Sequence, residues 1–188
     1  MANAFKRVGD NASVVGAYDA ESDLAGLVIP GVASFRVVPQ IVAALGGLKN
    51  IAKVKIPVLC ICLGMQALFR ESEESKCALG LGIVPGKVRK INGGLRLPQL
   101  GWNSVKQEKN DPLFYGIKDG QYFYFANSYA SFPQDAKTIL GTTRYGEKFV
   151  SVVRNQNWWG VQFHPEKSGG DGLRMIGNFA EICKEWGK

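Results

Sequence analysis

The chain has 188 residues, which suits one α/β domain spanning 1–188 with a sizeable core, and it carries a formal charge of +7. Its lysines and arginines are scattered in ones and twos with no basic–aromatic module, which argues against nucleic acid. A solvated basic surface facing an acidic partner or a phosphorylated metabolite is the better expectation. No apolar run approaches membrane-spanning length and Met1–Arg7 lacks a signal-peptide core, so a cytoplasmic location is expected. The four cysteines, Cys60, Cys62, Cys77 and Cys183, accompany a single histidine. Cys60 and Cys62 are poorly placed to pair with each other, and no spacing matches a zinc site. The thiols read as reduced, and no metal or cofactor is expected.

In chain order, residues 1–9 read as a helix with Ala4, Phe5 and Val8 on one face and Gly9 as its stop. Ala12 to Val15 reads as a short strand and Leu24 to Ile29 as a second, ending in Pro30-Gly31-Val32-Ala33-Ser34-Phe35. Val37 to Leu48 has the pattern of an amphipathic helix, and Ile51 to Lys55 leads into an apolar run from Ile56 to Cys62 that suits a strand buried on both faces. This alternation predicts a mostly parallel sheet flanked by helices. The second half changes character. Val84 to Ile91, Leu95 to Leu97, Asn103 to Val105, Gln121 to Phe125, Thr138 to Thr143, Phe149 to Arg154 and Trp158 to Phe163 read as strands. Gly93-Gly94 and Tyr145-Gly146-Glu147-Lys148 have the composition of hairpin turns, adding antiparallel strands. Lys109 to Asp119 reads as a loop or short helical turn over Leu113 and Phe114. Gly172 to Trp186 closes the chain as an amphipathic helix with Ile176, Phe179, Ala180 and Cys183 inward.

The apolar run passes into Leu63-Gly64-Met65-Gln66-Ala67-Leu68-Phe69, made of good helix formers, with nothing between strand and helix but Cys62 and Gly64. So sharp a turn pushes its residue out above the sheet edge and aims the following N–H the same way. Cys62, Leu63 and Gly64 therefore fit the nucleophile, the oxyanion donor and the small residue of a nucleophile elbow. Cys62 as a small buried hydrophobe is an equally fair reading of this stretch alone. Phe163-His164-Pro165-Glu166 favours the first. His164 is the one base available to a Cys–His mechanism, and in an extended segment Glu166 projects to its side, able to fix the tautomer and stabilise the imidazolium.

Cys62-Leu63-Gly64-Met65-Gln66 together with His164-Pro165-Glu166 resembles the class I glutamine amidotransferases of the Cys–His–Glu kind. Further motifs, Gly80-Leu81-Gly82-Ile83-Val84-Pro85-Gly86, Leu97-Pro98-Gln99-Leu100-Gly101-Trp102-Asn103, Phe123-Tyr124-Phe125-Ala126-Asn127-Ser128-Tyr129 and His164-Pro165-Glu166-Lys167-Ser168, are similar to those of glutaminase subunits of imidazole glycerol phosphate synthase, in histidine biosynthesis. The likeness runs from about Asn3 to the C-terminus. It implies a flavodoxin-like fold and glutamine hydrolysis with Cys62, His164 and Glu166 as the catalytic triad. It also implies an oxyanion pocket from Leu63 and the Gly31-Val32 turn, and glutamine contacts from Gln66, Glu74, Asn127, Ser128 and Tyr129. The implied partner is a (β/α)₈-barrel cyclase subunit, forming a heterodimer that receives the ammonia, with Trp102, Tyr124 and Lys167 on the docking face. Without the resemblance, Glu71, Glu73 and Glu74 read as a solvated helix end, Tyr129 as core, and Trp102, Tyr124 and Lys167 as ordinary surface and core.

The chain departs from the family pattern in places. Cys60 stands where glycine is usual, crowding the helix behind the elbow. Ala33 replaces a glycine of the oxyanion turn and is costly if that residue needs a positive φ. Asn127 replaces a common histidine. The family's N-terminal strand and glycine-rich turn are absent before Met1. The expectation is a natural product beginning roughly 15 to 20 residues earlier, or else a rearranged sheet. Other readings remain: the glutaminase of another class I amidotransferase (pyridoxal phosphate, anthranilate or guanylate synthesis), a catalytically impaired partner-binding homologue, and a stand-alone cysteine hydrolase. The Leu97–Asn103 motif and Lys167-Ser168 weigh against the first, and retention of all three triad residues weighs against the second.

Overall fold

The computed structural model describes every residue of the chain except Ser22. Its centre is β2 (Val58–Cys62), buried along its whole length. A strand flanked on both sides and covered on both faces has no polar side to offer, which is why the sequence here is a continuous apolar run. It pairs in parallel with β1 (Leu27–Gly31) on one side and with β10 (Trp158–Val161) on the other. From β10 the sheet continues antiparallel through β9 (Glu147–Asn155) and β7 (Tyr129–Pro133) to β4 (Gly86–Lys90). The two-residue strand β3 (Glu71–Ser72) joins β4 in parallel at the far edge. A branch leaves β9 through β8 (Ile139–Tyr145) to β5 (Gln99–Gln107) and β6 (Gln121–Asn127).

Side chains alternate across β2, and with them the core divides in two. Leu59 and Ile61 join Trp159, Val161, Phe163, Ile176 and Phe179 under α1 (Ala2–Arg7) and α4 (Gly169–Glu185). Val58 and Cys60 join Met65, Leu68, Phe35 and Val38 under α2 (Val38–Ala44) and α3 (Leu63–Ala67). Each large side chain removed from water in these layers contributes about 1.5–3 kcal/mol before the entropy of ordering it. The α/β sheet flanked by helices that the sequence implies is observed, but it is mixed rather than mostly parallel: parallel pairing is confined to β1–β2, β2–β10 and β3–β4, and the remaining strand pairs are antiparallel.

Several boundaries and two elements differ from expectation. Ala12 to Val15 forms no strand; it is irregular and exposed, Val14 at 91%, and no strand lies beside it to accept its hydrogen bonds. Among the described residues β1 has β2 as its one strand partner. Leu95 to Leu97 is also not a strand, so Gly93-Gly94 is no hairpin. Gly93 instead packs on Gly146, where a Cβ would lie 2.5 Å from the Gly146 Cα. Gly146, with φ of +71°, makes the tight β8–β9 hairpin as expected. The helix sought over Val37 to Leu48 is α2, preceded by a 3₁₀ turn over Phe35–Val37 and followed by another over Leu48–Lys53. The positive φ of Gly46 and Gly47 stops it early. Strands β3 and β7 lie where the sequence carries no alternating signal.

Candidate active site

The site sits where β2 runs into α3. Cys62 ends the strand and caps the helix with φ of +55° and ψ of −107°. A non-glycine residue in that region costs about 1–3 kcal/mol and persists only where its surroundings enforce it. The enforcement is close packing around Gly64 and Gly31. A Cβ on Gly64 would sit 2.0 Å from the Ile29 carbonyl oxygen, and one on Gly31 would sit 2.6 Å from the Leu63 Cβ. Glycine at both places lets β1 press against the first turn of α3, so the Gly31-Val32-Ala33 turn lies alongside the elbow. Val32 points out, 84% exposed. Ala33 has no positive φ, so the strain feared for it does not arise.

His164 follows β10 and is pinned from three directions. Its N–H donates to the Tyr124 carbonyl at 2.8 Å, and its own carbonyl accepts from the Ser168 hydroxyl at 2.6 Å. That hydroxyl in turn accepts from the Tyr124 N–H at 2.9 Å. Pro165–Lys167 is a 3₁₀ turn rather than the extended segment expected, and the turn still brings Glu166 Oε1 to 2.9 Å from His164 Nδ1. Hydrogen bonds to Cys62 first and Glu166 second outweigh burial and lift the imidazole to about 9, so the ring is an imidazolium at neutral pH. For Glu166 burial pulls the carboxyl upward, but the His164 contact and backbone hydrogen bonding together hold it below the usual carboxylate range. Its Oε2 is buried with no hydrogen-bond partner among the described residues. Cys60, by contrast, is sealed in the core, and burial alone pushes its thiol far up, leaving it neutral and inert.

The remaining candidates fall into three places. Gln66, on the first turns of α3, donates from Nε2 to the Tyr129 carbonyl and to Gln162 Oε1, both at 3.1 Å. Asn127 Nδ2 donates to the same Tyr129 carbonyl at 3.0 Å, and the Ser128 carbonyl accepts from the Ile91 N–H at 3.0 Å. The backbone acceptors of residues 128 and 129 are thus already engaged by the protein. Glu74 reaches the loop after β1, where Oε2 accepts from the Phe35 N–H at 2.7 Å. Trp102 and Tyr124 face each other in the middle of the β5–β6 ladder, and Lys167 reaches them from the 165–167 turn. The rings of Trp102 and Tyr124 meet edge-on at 6.4 Å, and the Lys167 ammonium lies 5.9 Å from the Tyr124 ring. Trp102 is 55% exposed, with Leu100 and Tyr122 exposed on the same two strands.

Sequence reasoning missed Gln162, whose Nε2 lies 3.7 Å from Cys62 Sγ. The signal for it was a polar residue inside the otherwise apolar stretch Trp158 to Phe163, since a buried amide needs partners. It also missed Ser168 as the brace between Tyr124 and His164. A cleft of about 320 Å³ lined by Lys55, Arg154 and Trp186 opens at the opposite ends of β2 and β10 and holds none of the triad.

Known proteins resemble this chain in sequence and in fold. Residues 5–183 match the family model described as glutamine amidotransferase class-I. The imidazole glycerol phosphate synthase subunit HisH of Methanocaldococcus jannaschii is 47% identical over 157 residues, covering 83% of this chain and 80% of that one. The HisH subunit of Pyrococcus furiosus is 48% identical over 161 residues, covering 83% and 81%. That of Symbiobacterium thermophilum is 40% identical over 183 residues, covering 96% and 86%. Among solved structures, a Thermoplasma acidophilum protein assigned to GMP synthase superposes with a TM-score of 0.73 at 20% identity, covering 98% of this chain and 87% of that one. Another, a glutamine amidotransferase, gives 0.71 at 20% identity, covering 97% and 91%. At that identity the structural likeness speaks for the fold.

Proposed function

The chain belongs to the class I glutamine amidotransferase family, and from its likeness to the HisH relatives we propose that it is the glutaminase subunit of an imidazole glycerol phosphate synthase. It hydrolyses glutamine to glutamate and ammonia in the service of histidine biosynthesis. The observation that carries the reading is the contact of His164 with both Cys62 and Glu166 around a strained elbow. Cys62 is the nucleophile: its sulfur bonds to the side-chain carbonyl carbon of glutamine, and the oxyanion that forms is met by the Leu63 N–H and the Gly31-Val32 turn. His164, protonated at rest, gives its proton to the departing ammonia. It then takes one from the water that opens the thioester and releases glutamate. Glu166 holds the ring and balances its charge.

Substrate contacts follow from what each group still has free. Gln66 spends both amide hydrogens inside the protein, leaving Oε1 to accept from the ligand. Glu74 offers a carboxylate to the ammonium of glutamine, and Asn127, Ser128 and Tyr129 form the wall opposite. The partner is a (β/α)₈-barrel cyclase subunit, docked on Trp102, Tyr124 and Lys167 so that ammonia passes between the two proteins rather than into solvent. An exposed tryptophan packed edge-on against a second aromatic ring is the composition of an interface anchor. Among the described residues no helix is long and apolar enough to cross a membrane, which is compatible with work in the cytoplasm.

The test is glutamate release from glutamine, with and without the cyclase and its ribonucleotide ligand. Release that rises at least tenfold with the partner and disappears in Cys62→Ala supports the reading. Full activity from the isolated chain points to a stand-alone hydrolase, and none with an active partner points to an impaired homologue.

A further inference from the structure

Gln162 is a fully buried polar side chain at the site that the triad does not account for. It lies one residue past β10, level with Cys62, because Val161 is paired with Ile61 in the parallel ladder. Its N–H donates to the Ser151 carbonyl at 2.9 Å, which fixes its backbone against β9.

A carboxamide has two orientations that exchange its oxygen and nitrogen, and the network decides which is present. The Tyr129 carbonyl can only accept, so the group facing it at 3.1 Å is the Gln66 amino group. The second hydrogen on that nitrogen faces Gln162 at 3.1 Å, where an oxygen is required. Gln162 is thereby turned with its own amino group toward Cys62 Sγ, at 3.7 Å, within reach for an N–H···S bond. The polarity of a backbone carbonyl is passed through two side chains to the reactive sulfur.

We propose that Gln162 is a further catalytic residue, the fixed N–H donor to the Cys62 sulfur, and that Gln66 is the positioning residue that sets its orientation. This deepens the glutaminase reading and rests on it for the reaction. When water opens the thioester, a C–O bond forms, the C–S bond breaks and its electron pair returns to Sγ, while the water proton goes to His164. A donor already aimed at Sγ favours the charged sulfur both there and at rest. The same amide reversed would present an oxygen to that charge and oppose it. The arrangement also accounts for a polar side chain in the middle of an apolar stretch.

The test follows the rate at which iodoacetamide alkylates Cys62, read by peptide mass across pH, in the chain with its partner. It compares wild type with Gln162→Met, which keeps the volume but removes the amide, and Gln66→Leu, which removes the orienting donor. Alkylation at pH 7 is expected to slow roughly tenfold in Gln162→Met and several-fold in Gln66→Leu, with the midpoint moved to higher pH and the high-pH plateau kept. In steady state kcat falls by a similar factor in Gln162→Met while KM moves less than twofold. Profiles that coincide with wild type in both variants overturn the proposal, as does a fall in kcat with no change in the alkylation profile. If Gln162→Met does not fold, Gln66→Leu and wild type decide: the Gln162 side-chain ¹⁵N–H resonance must follow the titration of Cys62 and cease to do so in Gln66→Leu. Alkylation needs no glutamine. A shifted profile in a chain that never hydrolyses glutamine would therefore sink the functional reading and the catalytic role with it, leaving only the N–H···S contact to Cys62.

Discussion

At the residue scale the site is a protonated imidazole held between the Cys62 sulfur and a carboxylate. The His164 imidazole, lifted to about 9 by Cys62 and Glu166, is protonated at working pH, and the active form is lost as that proton leaves. The alkaline limb of kcat/KM is therefore expected near pH 9, measured by glutamate release over a pH series. A group with a raised folded pKa stabilises the fold fully below its unfolded value of about 6.5 and loses that contribution as pH rises through about 9. The Tm should accordingly decline across that window in wild type and stay flat there in His164→Asn. Glu166→Gln removes one of the two groups that raise the ring. Its alkaline limb should move to lower pH and kcat should fall roughly 10²–10⁴-fold, since both ring orientation and imidazolium stability are lost. An unmoved limb would mean that Glu166 does no more than fill space.

At the element scale the strand-to-helix junction decides the site. The elbow was legible because an apolar strand and a helical run meet with only a cysteine and a glycine between them. The glycine is a matter of contact, since Gly64 presses on the Ile29 carbonyl with no room for a side-chain atom. Gly64→Ala is expected to cost roughly 1–3 kcal/mol in urea unfolding and to abolish activity, because α3 must back away from β1 and carry the Leu63 N–H with it. The His164–Glu166 pairing was legible for a partly mistaken reason: a 3₁₀ turn, not an extended strand, brings the two together. Ser168, which ties Tyr124 to His164, was not legible, since its role arises where β6 and the 165–167 turn meet in space. Ser168→Ala should loosen the imidazole and lower kcat about tenfold, with the hydroxyl restored in Ser168→Thr recovering part of it.

At the scale of the whole molecule, periodicity exposed the parallel centre of the sheet and the two-sided core, because β2 and α4 bury what their patterns say they bury. The strand order was not readable from pattern. Strand β10 returns from the end of the chain to lie beside β2, which is what carries His164 to Cys62. That pairing follows from the motifs rather than from composition. Ala12 to Val15 failed as a strand because alternation creates a strand only where a neighbour accepts its hydrogen bonds. The basic surface likewise said nothing about which face docks. Trp102, as the exposed aromatic beside Tyr124 and Lys167, is the expected anchor. Trp102→Ala should weaken cyclase binding by about 30-fold or more in calorimetry, with little effect on Tm.

The central claim is that Cys62, alone among the four cysteines, attacks the glutamine carboxamide. The direct measurement is peptide mapping after treatment with a glutamine analogue carrying an electrophilic ketone in place of the carboxamide, with the cyclase present. The account predicts one adduct per chain, on the Cys62 peptide, blocked by excess glutamine and absent in Cys62→Ala. An adduct on exposed Cys77, or glutamate release that continues with Cys62 unmodified, would contradict it.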